Sequence, residues 1–249
     1  MNHSPLTRRE ALKNAALGAI ALPLFGSVAL GADTKKADTK KGAAPSPTLY
    51  PPASPDGREN GLRLGIASYS LRELPLDNAI AVVKALRVPN MALFRLHCNW
   101  EGASVDECRA VGEKLKAAGI TLTGSGVINL TEDEAKTRKA FENVRAAGMQ
   151  TMVCKPTIES LPLVAKLAKE YDQKLAIHNH GPEDKLYPTP AVIWDHIKSL
   201  DSRIGLCIDV GHTVRGGEDA VTAIKKYASR LYDLHMKDSV AVVGAMRDV

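Results

Sequence analysis

Aromatic residues are scarce in this 249-residue chain, at 4% of the total. Within the body of the sequence no apolar run approaches 20 residues, which excludes a polytopic membrane protein. The four cysteines include no CxxC pair, which excludes a zinc ribbon and a disulfide-dense scaffold. A glycine-rich phosphate loop is missing after the first strand-like segment, where Ala67-Ser68-Tyr69-Ser70 stands instead. That removes the main dinucleotide fingerprint. A basic excess is missing from the body as well. The formal charge is +5, but residues 1–48 hold seven of the 33 basic and three of the 28 acidic residues. From 49 onward the balance is 26 basic to 25 acidic, a net of +1. A nucleic-acid binder would carry its basic excess on the folded domain.

What is present is the composition of a soluble globular chain, 45% hydrophobic and 24% charged. One domain of about 200 residues is the natural expectation, with a sizeable core. The N-terminus reads as an address. Thr7-Arg8-Arg9-Glu10-Ala11-Leu12-Lys13 is a twin-arginine pattern, followed by the apolar stretch 15–30 and a small-residue site at Ala29-Leu30-Gly31-Ala32. The pattern resembles a Tat-type signal peptide over 1–32, which predicts export through the Tat machinery to a periplasmic or otherwise extracytoplasmic location; an uncleaved anchor is the alternative. Residues 33–61, rich in Lys, Asp, Thr, Pro, Ala and Ser, with Asp33-Thr34-Lys35-Lys36 recurring as Asp38-Thr39-Lys40-Lys41, are expected to be a solvated linker. The folded domain is expected over 62–249.

From residue 62 short apolar runs alternate with amphipathic segments. Strands are predicted at 62–69, 90–97, 120–127, 151–155, 174–180, 203–210 and 231–237. Helices are predicted at 76–86, 104–118, 131–147, 161–171, 190–200 and 218–229. Gly119 and Gly148 act as stops, and Thr131 with Glu134 three residues on acts as a capping box. Seven strands alternating with six helices indicate an α/β fold with a parallel sheet. Polar residues spread over several strand ends favour a (β/α)8 TIM barrel over a doubly wound sheet. Only seven strands are counted before Val249, so the barrel is expected to be truncated after strand seven.

Three strand ends carry the chemistry. Period-two alternation places His178 and His180 on one face, Cys207 and Asp209 on one face, and Asp233, His235 and Lys237 on one face. In each case the opposite face is aliphatic and suits packing against helices. His, Asp and His from adjacent strands would then enter one space. Burying such groups is costly without a common partner, and one divalent cation (Mn, Zn, Co or Fe) suits imidazoles with one or two carboxylates. The competing reading is a metal-free hydrogen-bonded core network.

The segments His178-Asn179-His180-Gly181-Pro182-Glu183-Asp184-Lys185, Gly205-Leu206-Cys207-Ile208-Asp209-Val210-Gly211-His212 and Leu234-His235-Met236-Lys237-Asp238 resemble the sugar phosphate isomerase/epimerase family of the xylose isomerase-like TIM barrel superfamily. Gly65-Ile66-Ala67-Ser68-Tyr69-Ser70-Leu71-Arg72 extends the likeness to the first strand. The resemblance implies a metal held by Asp209 and His235, with Glu183 and His180 as further ligands and the choice among His178, His180 and Glu183 open. It implies proton transfer on a sugar or keto-sugar through an enediolate, with Glu183 and Lys237 as catalytic groups. A last ligand Glu would stand on the eighth strand. His178, His212, Tyr69 and Lys155 are candidate substrate contacts. Trp100 would stack on a sugar ring or fill the barrel mouth, and Cys154 and Cys207 are expected to be free core thiols. The expected partner is a small carbohydrate and not a nucleic acid; self-association into a homo-oligomer is left open. A keto-sugar or inosose dehydratase uses the same residues, and a non-catalytic truncated barrel is the reading from a different class. A DNA-repair endonuclease fits poorly with the neutral body.

Overall fold

The computed structural model describes residues 58, 59 and 62–237. The expected signal segment 1–32, all of the linker except Arg58 and Glu59 at its end, and Asp238 lie outside those residues.

Arg58–Glu59 (β1) pairs antiparallel with Leu62–Arg63 (β2), so a described strand lies inside the segment expected to be linker. The main sheet then begins with Ile66–Ala67 (β3). It continues with Asn90–Leu93 (β4), Thr121–Ser125 (β5), Ile128–Leu130 (β6), Thr151–Pro156 (β7), Lys174–His178 (β8), Ile204–Asp209 (β9) and Leu231–His235 (β10). Its order is β10-β9-β8-β7-β5-β4-β3, with β6 also pairing β7, and every pairing is parallel. Both β5 and β6 bond to β7, so they are two halves of one barrel strand interrupted at 126–127. Seven parallel strands alternating with helices form a half-barrel of TIM-barrel type, as the alternation predicts. The sheet curls strongly: a Cβ on Gly124 of β5 would lie 3.2 Å from Asp233 Oδ2 of β10, four places away in the sheet. A side chain at 124 would press on that carboxylate across the lumen and push it back by a few tenths of an ångström.

Between the strands run Leu76–Ala85 (α1), Val105–Ala117 (α2), Glu134–Ala146 (α3), Leu161–Glu170 (α4), Pro190–Ile197 (α5), Val210–Arg215 (α6) and Ala220–Tyr227 (α7). Their starts are chemically marked. Ser104 and Glu107 form a reciprocal capping box on α2. Thr189 accepts from the Val192 amide ahead of Pro190 on α5. For α3 the cap is Asp133, whose carboxylate accepts from Lys136 N, and not Thr131 as expected. Thr131 instead receives the Thr137 hydroxyl on its carbonyl at 2.8 Å, one turn outside the helix. The stops at Gly119 (φ 75°) and Gly148 (φ 70°) hold, because the left-handed turn after each helix suits a residue without Cβ.

The alternation on the strands sorts the core into two. Ile177, Leu206, Ile208 and Leu234 face the helices, within the large cluster that contains Phe141, Leu167 and Ile193. Val153, Ala176 and Cys207 form a separate small cluster with Val127 and Tyr232. Strand one is much shorter than expected. Residues 68–71 form a 3-10 turn, and Leu62 and Leu64 are exposed. The Ser68 hydroxyl accepts from Phe94 N at 2.7 Å, which ends the pairing there with a side-chain bond.

Candidate metal and substrate site

Three neighbouring strands deliver the site. β8 ends at His178, β9 at Asp209 and β10 at His235. The register pairs His178 with Cys207 and, two residues further along β9, Asp209 with His235, so the four occupy two successive levels on the same face of the sheet. Chain chemistry fixes Asp209 further. Asn179, fully buried, accepts from the Asp209 amide at 2.9 Å and donates to Thr213 Oγ1 at 3.2 Å; Thr213 Oγ1 in turn donates to the Asp209 carbonyl at 2.7 Å. Asp209 Oδ1 accepts from His212 N at 2.9 Å, which makes Asp209 the N-cap of the short helix α6.

The other oxygen, Asp209 Oδ2, points at the lumen side of the cluster. It stands 3.1 Å from Lys237 Nζ, 3.3 Å from His178 Nε2 and 3.9 Å from His235 Nδ1. By strict geometry Asp209 Oδ2 makes these contacts as ion pairs and not as hydrogen bonds, and His235 Nε2, the other ring nitrogen, is also buried without a hydrogen bond. Native interiors rarely leave a buried ring nitrogen such as His235 Nε2 without a partner. Ligand atoms of His178, Cys207 and His235 also fall within 4.8 Å of one another.

Burial pushes the Asp209 carboxyl up, but the His178 imidazole and the Lys237 ammonium outweigh it and hold the group well below the usual carboxylate range. Burial dominates for the imidazoles. His178 is lowered to about 4 by desolvation, against the pull of Asp209. Desolvation and the Lys155 charge lower His180 to about 4, and desolvation with the neighbouring His178 lowers His235. Asp233 is raised by burial. Neutral imidazoles beside an ionised carboxylate are the protonation states a cation needs. Among the described residues, the group whose ligand atoms all lie within 4.8 Å of one another is His178, Cys207 and His235; Asp209 Oδ2 stands beside the two imidazoles of that group.

Around this group lies a charged rim. His180 falls two residues past the end of β8 rather than within a strand; its amide donates to Tyr187 O at 3.0 Å. Its ring still packs 4.4 Å from that of His178. Asp184, not singled out from the sequence, is the inward carboxylate of the strand-five loop: its side chain is 5% exposed and sits 2.5 Å from Lys155 Nζ and 3.3 Å from His180 Nδ1. Glu183 is 63% exposed, and its Oε1 is gripped by the buried Arg215. Arg215 also reaches His212 Nδ1 at 3.2 Å, and His212 Nε2 meets Lys237 Nζ at 3.2 Å. A chain of contacts thus runs from Glu183 through Arg215, His212 and Lys237 to Asp209.

The sequence-derived candidates divide accordingly. His178, His180, Asp209, His212, His235 and Lys237 come together. Glu183 stands at the rim in the hands of Arg215, and Lys155 faces Asp184. Tyr69 follows the far strand β3, stacked edge-on against Phe94 at 4.9 Å with Arg72 over its ring. Trp100 fills the core, 1% exposed, with its indole N–H on Leu93 O. Cys154 and Cys207 are free and buried. Arg215 and Asn179 escaped sequence reasoning. Asn179 was visible only as the residue between two histidines, and Arg215 had no signal beyond its place three residues after His212.

Over 86 residues the chain is 36% identical to an inosose dehydratase of Clostridium perfringens, a match covering 34% of this chain and 28% of that protein. Three solved structures share the fold. The probable 3-DHS dehydratase AsbF of Bacillus anthracis superposes with a TM-score of 0.61 at 12% identity, covering 73% of this chain and 75% of that one. D-psicose 3-epimerase gives 0.58 at 19% identity, covering 70% and 72%. IOLI protein, solved with a bound zinc atom, gives 0.58 at 14% identity, covering 72% and 73%. The segment that carries the three strand ends, residues 152–249, matches the profile of the xylose isomerase-like TIM barrel family, and to that family this part of the chain is similar.

Proposed function

We propose that this protein is a divalent-metal-dependent isomerase or epimerase of a sugar or keto-sugar, working by an enediolate-type proton transfer. The observation that carries the reading is that His178 Nε2 and His235 Nδ1 approach Asp209 Oδ2 to 3.3 and 3.9 Å, beside the His178–Cys207–His235 group whose ligand atoms lie within 4.8 Å of one another, with a buried atom lacking a hydrogen bond on both Asp209 and His235. The similarity of residues 152–249 to a family with sugar isomerases among its structural relatives supports it.

Bound by His178, Asp209 and His235, the cation would polarise a carbonyl and its neighbouring hydroxyl. The remaining work belongs to the chain. Arg215 holds Glu183 Oε1, and Glu183 is assigned to take the proton from the acidified C–H; in an isomerisation it returns that proton to the adjacent carbon while the hydroxyl proton passes to the former carbonyl oxygen, and in an epimerisation a second acid delivers a proton on the opposite face. Lys237 Nζ, already beside Asp209, balances the negative charge that develops on the substrate oxygen. His212 and His180 are placed to bind hydroxyls at the mouth, and the Lys155–Asp184 pair holds the loop that carries His180 and Glu183.

Full-length protein is expected to contain about one divalent ion per chain and to lose it in Asp209→Ala and His235→Ala. With a panel of ketoses in D2O it should exchange the C–H next to the carbonyl. A metal-stripped preparation that interconverts a ketose at the unstripped rate would overturn the proposal. Dehydration of a keto-inositol or keto-sugar is the second reading, favoured by the 36% identity to an inosose dehydratase. Loss of water in the product, rather than a moved carbonyl, selects it. We propose in addition that residues 1–32 direct export; a reporter fused to this segment should leave the cytoplasm, and Arg8→Lys with Arg9→Lys should retain it.

A further inference from the structure

Two of the four cysteines lie off the strands β8, β9 and β10 that carry the site, and they face each other. Cys98 Sγ and Cys108 Sγ are 3.7 Å apart, where a disulfide needs about 2.05 Å. Cys98 sits in the turn after β4, and Cys108 is the fourth residue of α2. The backbone on both sides is fixed by other groups. The Cys98 amide donates to Phe94 O at 3.3 Å, and Trp100 Nε1 donates to Leu93 O at 2.9 Å. Asn143 Nδ2 donates to both Trp100 O and Ala103 O at 2.9 Å, and the Ser104–Glu107 box starts the helix. The sulfurs are thus brought together by bonds that do not involve them, and closing the gap asks mainly for side-chain rotation. Cys154 and Cys207 differ. They stand on β7 and β9 with β8 between, a separation of roughly 10 Å at ordinary strand spacing, too wide for a disulfide.

We propose that Cys98 and Cys108 are an oxidation site that forms an intramolecular disulfide on meeting a thiol oxidant of the disulfide class, whether a small-molecule disulfide or the oxidised form of a thiol oxidoreductase. Cys98 is the slightly exposed member, at 6% against 0% for Cys108, and is the sulfur an oxidant reaches first. The Cys98 thiolate attacks one sulfur of the oxidant, forms a mixed disulfide and expels one thiolate. The Cys108 thiolate then attacks Cys98 Sγ, forms the internal bond and expels the second. Two protons and two electrons leave the pair, and the oxidant is reduced to two thiols. Burial pushes both thiols up from their ordinary value, so the step is slow and occurs as the turn opens.

The test incubates the native full-length chain with excess oxidised glutathione at mildly alkaline pH. Thiols are then counted after unfolding, the intact mass is taken and the linked peptides are mapped. The expected result is a fall from four thiols to two, a mass lower by two hydrogens, one cross-link between Cys98 and Cys108, and full reversal by dithiothreitol. Cys154→Ser should leave the cross-link intact, and Cys108→Ser should trap glutathione on Cys98. Four persisting thiols, a stable glutathione adduct on the unsubstituted chain, or a link through Cys154 or Cys207 would each overturn the proposal. Mapping of the unsubstituted chain decides the matter even where a variant fails to fold.

Discussion

Asn179→Ala removes a group that touches no candidate donor atom directly yet holds Asp209 in place. The buried amide loses the bond from Asp209 N at 2.9 Å and the bond to Thr213 Oγ1 at 3.2 Å. Thr213 still donates to the Asp209 carbonyl, so its loss is one ordinary hydrogen bond, about 1 kcal/mol. The Asp209 N–H is left buried without an acceptor, at about 1–3 kcal/mol. Together the substitution should destabilise the protein by about 2–4 kcal/mol, which lowers Tm by roughly 2–4 °C for each kcal/mol in a body of this size. Loosening the carboxylate should also weaken divalent-ion affinity about 10–100-fold, the range seen when residues that orient metal ligands are removed. Thermal melting with and without Zn²⁺, and titration calorimetry of the metal-stripped chain, read the two effects separately. Asn129→Ala, at an exposed strand position, is the matched control and should shift stability by less than about 0.5 kcal/mol. If Asn179→Ala melts with the parent chain and binds the ion as tightly, the strut does not hold Asp209 and the reasoning fails.

Ser104→Ala should cost about 1 kcal/mol in urea denaturation, because the hydroxyl that accepts from Glu107 N is lost while Ser104 N still donates to the Glu107 carboxylate; no measurable loss would mean the cap is idle in solution. Acid should destabilise the metal-stripped protein before carboxylates titrate. His178 sits at about 4 in the folded chain against 6.5 unfolded, so the unfolded state binds the extra proton. That stability is full above about pH 6.5 and is lost as pH falls toward 4, with a slope of up to about 1.4 kcal/mol per pH unit from this one group. A stability that stays flat between pH 7 and 5 would contradict the burial-driven shift. Arg215→Ala frees Glu183 and should lower kcat/KM by about 10–100-fold on whatever ketose proves to be the substrate, as expected when a reacting group is misplaced by about 1 Å. Its metal content should not change, since Arg215 touches Glu183 and His212 and none of the three donors.

Much of this architecture is readable from residue order. Alternation on strands nine and ten by itself separates Leu206, Ile208 and Leu234, which pack on helices, from Cys207, Asp209 and His235. Ser104 with Glu107, Gly119 and Gly148 mark helix ends by local bonding that needs no tertiary context. Local rules fail where two nearby groups compete. Thr131 and Asp133 both offer oxygens to the start of α3, and the nearer carboxylate wins. Helix α6 is hidden because Val210-Gly211-His212-Thr213-Val214 is poor in helix formers; it exists through the Asp209 cap and the Thr213 bond, both set by the site. Glu183 and Asp184 are neighbours of like chemistry, and sequence gives no means of choosing which turns inward. The choice is made by Lys155 and Arg215, from β7 and α6.

The central claim is that His178, Asp209 and His235 share one divalent ion. Crystals of the full-length chain grown with Zn²⁺, with anomalous differences collected on both sides of the zinc edge, test it most directly. The predicted result is one strong peak at the ends of β8, β9 and β10, in contact with all three side chains and absent in Asp209→Ala. A well-ordered site without a peak, or a peak that leaves Asp209 and His235 uncoordinated, would contradict it.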